Sequence, residues 1–151
     1  DVCSSDLLVP GLKLKCRVEI GGAHALVNPT QVSQVVINLV RNAADAMNGA
    51  GTIKLDLVRL SEAEADQAHL KQLDRGWLAL SVSDTGCGID EESRARIFEP
   101  FFTTKPVGQG TGLGLSVVYS IVLGWGGSIN IDSEVDMGTT AMVYIPEFIE
   151  K

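Results

Sequence analysis

Asn28-Pro29-Thr30-Gln31-Val32-Ser33-Gln34-Val35-Val36-Ile37-Asn38-Leu39-Val40-Arg41-Asn42-Ala43-Ala44-Asp45-Ala46-Met47 carries two patterns at once. Val32, Val35, Val36, Leu39, Val40, Ala43 and Met47 recur mostly at three- and four-residue spacing, which puts them on one face of a helix. Asn28 is placed to cap its start, Pro29 sits at the first helical position, and Asn48-Gly49 stops it. Asn38 and Asn42 are four apart, so their side chains share a second face, with Asp45 close by. Buried carboxamides need partners, and a pair of amide oxygens facing a cleft suits Mg²⁺, a hard ion that prefers oxygen and keeps several waters. The same spacing also fits two asparagines on a wet helix face.

Strands flank this helix. Leu12, Leu14, Cys16, Val18 and Ile20 alternate with polar residues, a half-buried strand. After the turn at Gly21-Gly22, Ala25-Leu26-Val27 reads as a short second strand. Ile53, Leu55 and Leu57 alternate again, and Trp77 to Val82 forms another strand. Between those two, Ser61 to Arg75 is charged and alanine-rich, with a capping signal at Ser61-Glu62-Ala63-Glu64. Glu91 to Phe98 is a short helical stretch, Pro100 to Gly112 a loop without periodicity, and Leu113 to Leu123 an apolar helix. Ser128 to Ser133 and Thr139 to Ile145 close the chain as strands around Asp136-Met137-Gly138. Helices set between strand pairs predict an α+β fold: a two-layer α/β sandwich with a mixed, mostly antiparallel sheet and helices on one face.

A chain of 151 residues suits one domain, and 45% apolar with 21% charged residues is an ordinary globular balance. A net charge of −7 disfavours nucleic acid and anionic membrane surfaces, so any bound phosphate needs local donors or a metal. No run of apolar residues is long enough for a membrane span. Three cysteines at no metal-ligand spacing read as reduced thiols of a cytoplasmic protein, and with two distant histidines they give no zinc site. The first seven residues translate a nucleotide run that resembles the end of a common sequencing adapter. Residues 1–7 are therefore set aside as a non-native leader, and 8–151 are read as the domain.

Two glycine-rich stretches carry further chemistry. Asp84-Thr85-Gly86-Cys87-Gly88-Ile89-Asp90 follows the strand that ends in Ser81-Val82-Ser83. Its glycines let the backbone turn sharply and approach a flat ligand, while an aspartate at a strand end can accept from an exocyclic amine such as that of adenine. Gly108-Gln109-Gly110-Thr111-Gly112-Leu113-Gly114-Leu115 places alternating glycines before an apolar helix, where free amides favour an anion such as a triphosphate. The Rossmann fingerprint fits poorly because a long loop, not a strand, precedes these glycines, and no Gly-Lys-[Ser/Thr] of a Walker loop occurs. Each signal is weak alone.

Together and in this order they resemble the ATPase fold shared by histidine kinases, DNA gyrase, heat-shock chaperones and mismatch-repair ATPases, the Bergerat ATP-binding fold. Sensor histidine kinases fit best. Asn38 to Ala46 looks like their asparagine box, Asp84 to Asp90 the first glycine box, Ile97 to Lys105 the phenylalanine box and Gly110 to Leu115 the second glycine box. Gly126-Gly127 through Gly138-Thr139-Thr140 resembles their closing strands.

The resemblance implies ATP and Mg²⁺ as ligands, with Asn42 holding the metal, Asn38 near the phosphates and Asp45 beside the nucleotide. It implies that Asp84 reads the adenine amine, Gly86 and Gly88 shape the pocket, and Ile89 packs on the ring. Gly110, Thr111, Gly112, Leu113, Gly114 and Leu115 would line the phosphates, Lys105 would reach the γ-phosphate from a lid at 100–112, and Thr139 would lie by the adenine. Phe98, Phe101 and Phe102 would anchor the lid or meet partner helices.

Hydrolytic relatives place a glutamate four residues before the metal-binding asparagine; here that position is Asn38, an amide without basicity. This favours transfer to an external nucleophile over hydrolysis. Neither His24 nor His69 begins the His-Glu run of a phosphoacceptor helix. The implied protein is thus the catalytic part of a two-component kinase. It would donate the γ-phosphoryl to a histidine on upstream dimerisation helices, inactive without them, with a response-regulator receiver domain as the later partner. An ATP-hydrolysing or nucleotide-sensing relative is the alternative. Trp125 stands where many such kinases carry histidine and Asn28 where many carry aspartate, and Arg41 reads either as a solvated charge or as a phosphate neighbour.

Overall fold

A computed structural model describes residues 2–6, 11–103 and 114–149. Six strands form one sheet in the order β1-β2-β3-β4-β6-β5: β1 (Val2–Asp6), β2 (Leu12–Glu19), β3 (Gly51–Arg59), β4 (Trp77–Ser83), β5 (Ser128–Glu134) and β6 (Gly138–Pro146). Every neighbouring pair is antiparallel except β2 and β3. That pair is parallel because α1 (Pro29–Ala46) lies between its strands, and a parallel return needs a crossover of a dozen or more residues. The backbone of β1, within the residues set aside as a leader, runs antiparallel along β2 at the outer edge.

The alternation of the strands sorts their side chains. Cys16, Leu55, Val82, Ala141 and Ile131 pair in succession across the sheet, and a second row joins Leu57, Leu80, Val143 and Ile129. Both rows face the core. Over them lie α1, through Val35, Leu39 and Ala43 at four-residue intervals, and α4 (Gly114–Gly124), through Val118 and Val122. These two helices also pack on each other. The expected two-layer α+β sandwich is therefore present, with α1 and α4 on one face. At its Trp77 end the opposite face is closed as well: Trp77 and Ala79 are buried there, and the Trp77 indole donates to the Lys71 carbonyl at 3.0 Å. Lys71 belongs to the segment after α2 (Glu62–Gln67), whose start Ser61 caps by accepting from the Glu64 amide. No described helix is long and apolar enough to cross a membrane.

Local chemistry sets both ends of α1. Asn28 accepts from the Thr30 amide at 2.8 Å, and Pro29 follows at the first turn. At the other end Gly49 donates to Ala44 and Asn48 to Asp45, with Asn48 in the left-handed region (φ 54°). That is a Schellman ending, in which asparagine takes the place usually held by glycine. One expected strand is absent. Residues 25–27 form no ladder; His24 alone bridges to Phe148. Three apolar residues are too few to show an alternation, and Leu26 is 75% exposed, so this stretch is an extended lead into α1 rather than a strand.

Candidate functional site

Asp84 is the first residue beyond β4. Its amide donates to the Thr139 carbonyl at 2.9 Å, extending the β4–β6 ladder by one rung. Its carboxylate then accepts from the Gly86 amide at 2.8 Å, a local turn typical of aspartate. One carboxylate oxygen is thereby engaged. Burial raises the Asp84 carboxyl above its ordinary pKa, against the opposing pull of the Gly86 and Thr139 backbone.

The rest of the turn is fixed from two sides. Gly86 lies so close to the backbone of Ala46 that a Cβ would overlap it, and the Cys87 amide donates to the Ala46 carbonyl at 3.1 Å. Gly88, at φ 71°, has no room for a Cβ against the Glu134 backbone, and the Asp136 amide donates to the Cys87 carbonyl at 2.8 Å. The Ile89 amide donates to the Ser133 hydroxyl at 2.7 Å. Asp90 caps α3 (Glu91–Arg94) by accepting from the Ser93 amide, which lowers its own pKa. So α1 holds one side of the turn and the β5–β6 hairpin the other.

The asparagines reach this turn along α1. Asn38 and Asn42 are both half-buried, and among the described residues neither side chain has a hydrogen-bond partner. A Cβ built on Gly114 would stand 3.4 Å from the Asn38 side-chain oxygen, so the first residue of α4 lies against Asn38. Leu115 packs on the core behind it. From Asn38 to Ala46 the helix climbs about 12 Å, with Asn42 midway. This stretch of α1 thus connects the start of α4 with the Asp84 turn. The donor set fits a hard cation: half-buried amide oxygen with its remaining positions open to water and phosphate. Asp45 lies on the exposed side of the same helix end.

The structure thus gathers Asp84, Gly86, Gly88, Ile89 and Thr139 at one end and Asn38, Gly114 and Leu115 at the other, with Asn42 on the helix between them. Lys105, Gly110, Thr111, Gly112 and Leu113 lie outside the described residues. Of the aromatic residues, Phe98 packs on Tyr119 with centroids 5.0 Å apart, and Arg96 lies 4.7 Å over Phe102. Phe101 is 76% exposed. A separate hollow of about 370 Å³ lies between Arg94, Ile97 and Phe98 on one wall and Ile129, Ile131 and Asp132 on the other. None of the residues assigned to the nucleotide lines it.

Two participants escaped the sequence reading. Ser133 ties the hairpin to Ile89, and the Ala46 carbonyl receives the turn. A backbone carbonyl leaves no residue-type signal. A serine in the last turn of a strand looks like any other polar residue until its partner, 44 positions away, is known.

Residues 27–149 match the family described as histidine kinase-, DNA gyrase B-, and HSP90-like ATPase. The chain is 47% identical over 122 residues to the sensor kinase CckA of Brucella abortus, which covers 80% of this chain and 13% of that protein. It is 37% identical over 119 residues to the sensor histidine kinase ZraS of Escherichia coli, 79% of this chain and 22% of that one. Among solved structures it is similar to full-length ShkA in complex with AMPPNP, at 26% identity and a TM-score of 0.71, over 93% of this chain and 26% of that one. It is also similar to the catalytic domain of the histidine kinase ThkA, at 31% identity and a TM-score of 0.69, over 90% and 79% of the two chains.

Proposed function

This chain belongs to the histidine kinase-, DNA gyrase B- and HSP90-like ATPase family, and from that premise we propose that it binds ATP with Mg²⁺ and donates the γ-phosphoryl group to a histidine on a separate helical domain. The observation that carries this is the half-buried Asp84 carboxylate. It accepts from the Gly86 amide and feels the Thr139 backbone, and with about four lone-pair sites it still has acceptor capacity for an exocyclic amine, on a turn braced by both α1 and the β5–β6 hairpin.

In this reading Asp84 accepts from the adenine amine, Gly86 and Gly88 shape the pocket by letting the turn dock on α1 and the hairpin, and Ile89 and Thr139 flank the ring. Asn42 supplies an amide oxygen to Mg²⁺, and Asn38 and Gly114 face the phosphates. Lys105, Gly110, Thr111, Gly112 and Leu113 complete the phosphate side, and Asp45 lies at its rim. Mg²⁺, when bound, neutralises charge on the triphosphate. The transfer breaks the bond from the γ-phosphorus to its bridging oxygen, releases ADP and forms a phosphorus–nitrogen bond on the acceptor imidazole. Asn38 offers no base for water, which favours this transfer over hydrolysis.

The chain spans 13% of CckA and 22% of ZraS, so the acceptor histidine, the dimerisation helices and the receiver domain that takes the phosphoryl group on are assigned to other parts of the system. The reaction is placed in the cytoplasm, where ATP is available. The test mixes the chain with radiolabelled ATP, Mg²⁺ and the phosphoacceptor helices of its parent protein. Acid-labile phosphohistidine on the helices, and none on this chain alone, is expected. Steady ATP turnover by the chain alone, without transfer, would replace the kinase reading with the hydrolytic one.

A further inference from the structure

Ser133 lies in β5 on the face that looks toward the core, opposite Thr139 in the β5–β6 register. Its hydroxyl has one proton and two lone pairs, and three groups surround it. The Ile89 amide donates to it at 2.7 Å, the Gly138 carbonyl lies 3.1 Å away as an acceptor, and the Thr139 hydroxyl is 2.8 Å away. The capacity of the oxygen is filled. Resting on the nucleotide reading above, we propose that Ser133 is a positioning residue for base recognition, holding Ile89 and Thr139 in mutual register so that both meet the ring.

The other bonds nearby separate this role from a merely structural one. The turn at 84–90 is already held by Asp84 to Thr139, Cys87 to Ala46 and Asp136 to Cys87. Those bonds fix backbone on either side of the pocket. None of them fixes the Ile89 amide or the Thr139 side chain. The Ser133 hydroxyl is what joins these two, and they come from segments that only the sheet brings together. Removing it leaves a half-buried amide without its acceptor and lets the threonine hydroxyl turn, while the turn keeps its other anchors. The loss should therefore appear in affinity for the base more than in the stability of the empty domain.

The experiment compares Ser133→Ala and Ser133→Thr with the wild-type chain. ATP affinity, melting temperature and hydrogen exchange at the Ile89 amide are measured on each, the last without nucleotide. Ser133→Ala should weaken ATP binding about tenfold and speed exchange at Ile89, with the melting temperature lowered by only about 5 °C or less. Ser133→Thr keeps the hydroxyl and should restore affinity to within about threefold. An alanine variant within about twofold of wild type, or a loss that threonine does not restore, overturns the positioning role. Wild-type protein that binds no ATP overturns the nucleotide reading itself. Wild-type binding beside an unaffected alanine variant overturns only the part assigned to Ser133.

Discussion

The amide of Cys87 donates to the carbonyl of Ala46 at 3.1 Å, and this bond couples the turn that carries Asp84 to the helix that carries Asn38 and Asn42. Ala46 is the last residue of α1, where carbonyls have no partner within the helix. Part of the helix end is closed by the Asn48-Gly49 motif, and part by the turn itself. In the proposed reading, the residues assigned to the base and to the metal are thus joined through one helix end.

That coupling makes Gly86 sensitive. A Cβ there would overlap the Ala46 backbone, which no side-chain movement relieves. Gly86→Ala should push the turn off the helix at a cost of about 1–3 kcal/mol, the usual range for overpacking. Thermal melting and ATP titration should both register it. Unchanged affinity would mean that the turn is not docked on α1 as described.

Asp84 gives a pH-dependent prediction. Burial holds its folded-state pKa above the unfolded one, so its contribution to stability is fully present below the unfolded pKa. That contribution is lost as pH rises through the folded value. At neutral pH the ionised carboxylate therefore burdens the empty fold. Asp84→Asn should melt at an equal or higher temperature than wild type at pH 7, and the gap should close as pH falls toward the acid range. ATP affinity should drop at least about tenfold, because a charge-assisted acceptor is lost. A variant that melts lower at pH 7 yet binds ATP normally would contradict both halves.

Much of this was legible because the decisive signals are local. The Asn28 cap, the four-residue spacing of Val35, Leu39 and Ala43, and the strand alternation each depend on a few adjacent residues. The Asp84 turn was legible for the same reason, since its aspartate and glycines answer to each other. Long-range partnership was not. Nothing near residue 25 says that β2 pairs with β3, leaving only His24 to meet Phe148. Trp77 and Ala79 are buried on the face of β4 away from α1 and α4, and nothing near them in sequence shows that the Lys71 carbonyl returns to meet the Trp77 indole. Ser133 belongs with these, a residue defined by a partner on another segment.

The core beneath the site makes a simpler test. Ile53 is fully buried on β3 and belongs to the cluster that α1 covers with Val35 and Leu39. Ile53→Ala should cost about 2–5 kcal/mol, the transfer term plus whatever cavity remains. Chemical denaturation measures it. A loss below about 1 kcal/mol would mean that the sheet and helix close over the gap, and that packing here is looser than drawn.

Asn42 separates metal ligation from general binding. Its side chain is half-buried, without a partner among the described residues, midway between Asn38 and the Asp84 turn. If its oxygen holds Mg²⁺, Asn42→Ala should weaken ATP binding in the presence of Mg²⁺ by about tenfold or more. Binding of metal-free ATP with a chelator present should change little, because Asp84 and the turn still hold the base. The ratio of the two affinities is the quantity to measure, since a distorted helix would depress both equally. Equal losses would take the metal away from Asn42 and leave it as a phosphate neighbour like Asn38.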